Sequence, residues 1–162
     1  MSLEDIAFNF IISHLKAKLI NIISAHPPSG KAYDTDLIRL PAKNRNSGRY
    51  HIDVIFESEG VLCLTEIKGS TGESADDIIK LRAIVNEYTR LELIKLIRKR
   101  SCLETVDWDN INFIVPVIGA AIGGVQCPHD FVFLTTGSHG NITLEIGTSI
   151  NLEAKGRLSK LF

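Results

Sequence analysis

From Leu3 to about Ala25 the chain is apolar at Ala7, Phe8, Phe10, Ile11, Ile12, Leu15, Leu19, Ile20, Ile22 and Ile23, and polar only along two narrow strips, Asn9/Ser13/Lys16 and His14/Lys18/Asn21. That pattern predicts a helix buried on two sides. In so small a chain the second side is expected to face another subunit, which points to a homodimer. "HPPSGK" stops the helix with two prolines and a glycine. "YDTDLIRLP" then reads as a strand and "AKNRNSGR" as a basic loop.

"YHIDVIFESEGVLCLTEIKG" reads as two apolar strands around a tight turn, with Asp53, Glu66 and Lys68 among residues that belong in a core. After the flexible "GSTGES", Ser74 and the acids Asp76 and Asp77 suit the start of a helix, predicted from Ala75 to about Arg100 on the spacing of Ile78, Leu81, Val85 and Tyr88. "INFIVPVIG" is a continuous apolar run, as expected of a strand buried on both faces. "DFVFLTTG" and "ITLEIGTSI" read as strands joined by "GSHGN". The order α, β, β, β, α, β, β, β predicts the α/β (α+β) class, with a mixed central sheet flanked by helices. At 162 residues, one domain spanning 1–162 is expected.

Composition adds limits. With 44% hydrophobic and 23% charged residues the chain is ordinary globular protein. Cys63, Cys102 and Cys127 are odd in number and at no metal-ligand spacing, which favours a reducing compartment and a cytoplasmic location. The N-terminal segment carries Glu4, Asp5, Lys16 and Lys18 and reads as neither signal peptide nor membrane span. A formal charge of −1 gives no global attraction to nucleic acid, so any such surface must be local. Lys43, Arg45 and Arg49 are the candidates for phosphate contacts. Arg98-Lys99-Arg100 is explained by the negative end of a helix dipole. "IGAAIGG" reads as a turn after a buried strand, and Cys127 with His129 lacks the second pair that zinc needs.

The chemistry gathers at the hairpin. Alternation puts Leu62, Leu64, Glu66 and Lys68 on one face of their strand, and His51, Asp53, Ile55 and Glu57 on one face of the preceding one. If Glu59-Gly60 is a two-residue turn, Ser58 pairs with Val61 and Asp53 lies opposite Glu66. A three-residue loop sends them to opposite faces. In the first register two carboxylates lie about 5 Å apart at Cβ, beside a lysine. Their repulsion is relieved by a bound cation, a shared proton or a neighbouring ammonium. Two hard carboxylates suit Mg²⁺, with Mn²⁺ as substitute, and Lys68 is placed to hold a water or to offset charge developing on a phosphate. His51, across from Lys68, is a further candidate to assist.

Asp53, twelve residues, then Glu66-Ile67-Lys68 resembles the PD-(D/E)XK (restriction-endonuclease-like) nuclease superfamily, which includes restriction enzymes, junction resolvases and some homing endonucleases. Ile52 stands where the motif's name has proline. The resemblance implies a mixed sheet with an N-terminal helix, a hairpin carrying the acids and a helix after the lysine strand. It also implies Asp53 and Glu66 as metal ligands, Lys68 as catalytic lysine, Glu4 rather than Asp5 as an added acid on the first helix, and Lys80 as a polar residue of the later helix. The expected function is a Mg²⁺-dependent endonuclease cutting DNA as a homodimer. The competing readings are an inactive module of the same fold that binds nucleic acid or a protein partner, and a hairpin whose charges are merely salt-bridged.

Overall fold

The computed structural model describes residues 1–30, 38–43, 48–137 and 139–162. A capping box opens helix α1, Leu3–Ala17: the Ser2 hydroxyl accepts from Asp5 N at 3.1 Å, and the Asp5 carboxylate accepts from Ser2 N at 3.3 Å. The helix ends eight residues short of the predicted boundary. Leu19 takes a left-handed backbone, φ 56°, and Asn21–Ala25 becomes strand β1. Two adjacent isoleucines in "NIISA" suit a strand, and β1 pairs antiparallel with strand β4, Val54–Ser58, from Asn21↔Glu57 to Ala25↔Val54.

Short strands β2, Arg39–Pro41, and β3, Arg49–His51, form a separate two-stranded ribbon. Most of the strand predicted over "YDTDLIRLP" lies outside the described residues, as does Arg45. Strand β4 then turns into β5, Val61–Ser70, through Glu59 and Gly60 at φ 50° and 80°. Both residues are left-handed, the geometry of a two-residue hairpin turn. Its register runs from Ser58↔Val61 to Val54↔Thr65, which is the alternative that faces Asp53 toward Glu66.

The single helix predicted over residues 75–100 is two helices. Helix α2, Ala75–Glu87, ends at an extended Tyr88, and α3, Arg90–Arg100, starts on Thr89, whose hydroxyl accepts from Glu92 N at 3.2 Å. The Thr89-x-x-Glu92 spacing is itself a start signal within an otherwise helical pattern. Strand β6, Phe113–Ile122, follows and lies parallel to β5, a pairing that requires such a crossover. It runs through "IGAAI", where a turn was predicted, and ends only at Ile122, before Gly123-Gly124. Gly119 sits within the strand because a Cβ there would come within 2.5 Å of Ile11 Cδ1 and 2.8 Å of Ile67 Cδ1. Its absence lets α1 approach the sheet.

Strands β7, Val132–Thr135, and β8, Thr143–Ile146, complete a six-stranded mixed sheet in the order β1-β4-β5-β6-β7-β8. A last helix, α4, Leu152–Leu161, is absent from the predicted order; it is capped by Asn151 and buries only Ala154 and Leu158, a weak periodic signal. Helices α2 and α3 cover one sheet face, with Leu81, Ile84, Leu93 and Ile97 against Ile55, Leu62, Leu64 and Ile118. Helices α1 and α4 cover the other, with Phe8, Ile11, Leu15 and Leu158 against Phe56, Cys63, Ile67 and Val117.

The second apolar side of α1 finds its partner within the chain. Phe10 lies against Gly140 in the β7–β8 connection, and the His14 ring stacks on Phe162 with centroids 5.0 Å apart. The helix therefore gives no reason to invoke a second subunit. Among the described residues no helix is long and apolar enough to cross a membrane, and no disulfide links the three cysteines.

Candidate active site

The hairpin register decides the site. Asp53 stands just before β4, where its Oδ2 accepts from Ile67 N at 2.8 Å and so continues the β4–β5 ladder through a side chain. Glu66, one residue back along β5, is 3% exposed. Burial first, and then the Asp53 carboxylate, push the Glu66 carboxyl up to about 9, against the opposing pull of Lys80. A proton on Glu66 relieves its repulsion from the neighbouring Asp53 carboxylate.

Two lysines and a third acid complete the group. Lys68 Nζ lies 3.3 Å from Asp77 Oδ2, and Lys80 Nζ lies 2.6 Å from Glu66 Oε1 and 4.0 Å from Asp77 Oδ1. Lys80 also donates to the His51 carbonyl at 2.8 Å. Lys68, Asp77, Lys80 and Glu66 thus form one chain of contacts. The contacts to Glu66 Oε1 and Asp77 Oδ2 are close but poorly aligned, and both buried oxygens lack a well-formed hydrogen bond. Burial raises the Asp77 carboxyl more than the two lysines lower it. For Lys68 burial works the other way, and Asp77, aided by Glu4 and Asp53, outweighs it to raise the ammonium.

Of the sequence-predicted residues, Asp53, Glu66, Lys68 and Lys80 converge. Glu4, in the first turn of α1, acts on Lys68 through its charge but makes no ion pair with it among the described residues. Lys43 is engaged elsewhere: its ammonium pairs with Glu92 and lies 4.6 Å from the Tyr88 ring centroid, and its N–H donates to Glu87 at 3.1 Å. That lysine docks the ribbon onto the α2–α3 junction. Arg49 is exposed on the ribbon, where alternation buries Leu40 and Tyr50 and turns Arg39, Arg49 and His51 to the other face. Arg39 Nε donates to His51 Nε2 at 3.2 Å, and the His26 ring lies 5.4 Å from that of His51. Burial, Arg39, His26 and Lys80 together lower the His51 imidazole, which keeps it neutral.

Asp77 and Arg39 were not expected here. Asp77 reads in sequence as a first-turn acid, yet Asp77, Leu81, Ile84 and Tyr88 recur at helical spacing and are all buried. An acid in step with an apolar stripe was the available signal.

The donor set suits a hard divalent cation. Among the described residues no three His, Cys, Asp or Glu side chains converge as a ready metal cage. Asp53 and Glu66 would be two carboxylate ligands, with water and substrate supplying the rest, as Mg²⁺ prefers. Glu66 Oε1 lacks a well-formed hydrogen bond and already faces one cation, the Lys80 ammonium at 2.6 Å. A cleft of about 580 Å³ lies at the other end of the hairpin, but its Asn21, Glu57, Gly60 and Thr105 groups hydrogen-bond one another.

Comparison with protein-family models, curated proteins and solved structures finds no match to this chain.

Proposed function

We propose that this chain is a Mg²⁺-dependent endonuclease of the PD-(D/E)XK kind that hydrolyses DNA phosphodiester bonds. The observation that carries the reading is the β4–β5 register, which sets Asp53 beside Glu66 and sends Lys68 to the same face, against Asp77. The order α1, β1, β4, β5, α2, with β6 returning parallel to β5, supports it, because it matches the arrangement the resemblance implies.

Asp53 and Glu66 would hold a divalent cation, which would supply Lewis acidity at the scissile phosphate. Lys68, kept charged by Asp77, offsets negative charge that develops on the phosphate and orients the attacking water. Arg39 and Arg49, on the outer face of the ribbon that leads into Asp53, hold the flanking backbone. Residues 31–51 carry five Lys or Arg against two Asp in a chain of net −1, so the local field favours a polyanion. Cutting both strands of a duplex needs two sites, which a homodimer supplies, and three cysteines without a disulfide suit the cytoplasm.

The test is cleavage of supercoiled plasmid in Mg²⁺. Lys68→Ala is expected to lose about 10²- to 10³-fold in rate. A Lys68→Ala protein as fast as wild type sinks the assignment.

The reading of an inactive nucleic-acid-binding module is favoured by Lys80, whose ammonium already stands 2.6 Å from Glu66 Oε1, where a metal would bind. Calorimetry with Mn²⁺ separates the two: binding lost in Asp53→Asn supports the nuclease, and no binding supports the module.

A further inference from the structure

We infer that Lys80 is a built-in counter-cation of this site, and that its ammonium passes from Glu66 to Asp77 when a divalent cation binds. The inference rests on the metal-site reading above.

Lys80 stands on the oxygen a metal needs. Its Nζ is 2.6 Å from Glu66 Oε1, the buried carboxyl oxygen that no hydrogen bond of good geometry satisfies. Two cations cannot share that oxygen at contact distance, because their repulsion in a partly buried site is large and poorly screened. Either Lys80 stays and the site is closed, or Lys80 leaves and Glu66 gives up its proton to water as the metal binds.

An acceptor for the displaced ammonium is already present. Asp77 Oδ1 is 4.0 Å away, one turn earlier on the same helix. A charge-assisted contact needs about 2.8 Å, so Nζ has only about 1 Å to travel. Asp77 meets Lys68 through Oδ2, 3.3 Å away, and turns its other oxygen, Oδ1, toward Lys80. Asp77 thus has room for a second ammonium, and Lys80 keeps a counter-ion throughout.

The resting contact is held at a second point. Lys80 donates to the His51 carbonyl at 2.8 Å, at the end of the ribbon. Transfer to Asp77 removes that donor, so cation binding also alters the anchoring of β3.

The test is Mn²⁺ calorimetry, repeated with Mg²⁺, on wild type and variants whose folding is checked by thermal melting. Lys80→Met is expected to bind about tenfold more tightly than wild type, since no ammonium has to leave. Lys80→Gln, which still offers a donor to the His51 carbonyl, is expected to do the same and covers the case in which Lys80→Met misfolds. Lys68→Met removes the same charge without vacating Glu66, and is expected to tighten binding less than Lys80→Met does. A tightening in Lys68→Met equal to that in Lys80→Met overturns the inference, as does no tightening in either Lys80 variant. Transfer to Asp77 is read from a double-mutant cycle: Asp77→Asn should weaken binding more in wild type than in the Lys80→Met background. Equal losses in both backgrounds overturn the transfer. Metal binding that requires Asp53 and Glu66 but ignores Lys80 removes this inference and leaves the nuclease reading standing. Absence of metal binding in wild type and Lys80→Met alike removes both.

Discussion

Asp77 Oδ2 lies 3.3 Å from Lys68 Nζ, so the lysine of the Glu66-Ile67-Lys68 segment is held by an acid from the helix that crosses above it. Asp77, Glu4 and Asp53 together raise Lys68 against its burial, and each favours the ammonium.

Removing that acid should therefore lower the lysine. In Asp77→Asn the alkaline limb of the cleavage rate is expected to move to lower pH, and kcat to fall by about 10²-fold with KM little changed, because a misplaced ammonium costs orientation. The pH–rate profile on a duplex substrate checks this. An unshifted alkaline limb means Asp77 does not position Lys68.

Glu66 should make the native state sensitive to alkali. Its carboxyl is pushed up to about 9 from an ordinary 4.5, so the folded chain holds a proton the unfolded chain has released. Stability then falls as pH rises from about 4.5 to 9 and levels off above that. Glu66→Gln removes this dependence, and its melting temperature is expected to exceed wild type by more at pH 9 than at pH 5. A constant difference in thermal melts across that range contradicts the protonated Glu66.

The hairpin turn should tolerate no side chain at Gly60. Its φ is 80°, and a Cβ would come within 2.5 Å of the Asn110 carbonyl oxygen. Gly60→Ala is expected to cost about 1–3 kcal/mol, from left-handed strain and overpacking together. Urea unfolding measures the loss, and metal binding at Asp53 and Glu66 should weaken with it if the register slips.

On the ribbon, Arg39 and Arg49 should act through phosphates. Arg39→Ala with Arg49→Ala is expected to weaken duplex binding and reduce the slope of log affinity against log salt by about 2. Lys43→Ala should leave the slope nearly unchanged and lower stability instead, because Lys43 is tied to Glu87 and Glu92. Equal slopes for wild type and the double arginine variant remove the ribbon from the interface.

Much of the local structure was legible from residue pattern. The Asp53/Glu66/Lys68 alignment could be read from alternation plus a glycine in the turn, and β6 from its unbroken apolar run, since both depend on neighbours in sequence. Helix and strand were confused where apolar residues cover every face. Residues 20–25 continue the apolar pattern of α1, and only the left-handed Leu19 and the pairing with β4 turn them into a strand. Tyr88 is extended because its hydroxyl reaches the Pro41 carbonyl on the ribbon, a contact between segments far apart in the chain.

The sequence by itself determined the hairpin and the mixed α/β architecture, because periodicity and turn chemistry are local, and it left two registers for Asp53 against Glu66 and Lys68, of which the structure takes Ser58↔Val61. Tertiary structure alone decided which other charges joined them. Helix α2 packs on the sheet against β6, beside β5, a placement no local pattern encodes. Its packing turns Asp77 from a first-turn acid into the partner of Lys68, and sets Lys80 on Glu66.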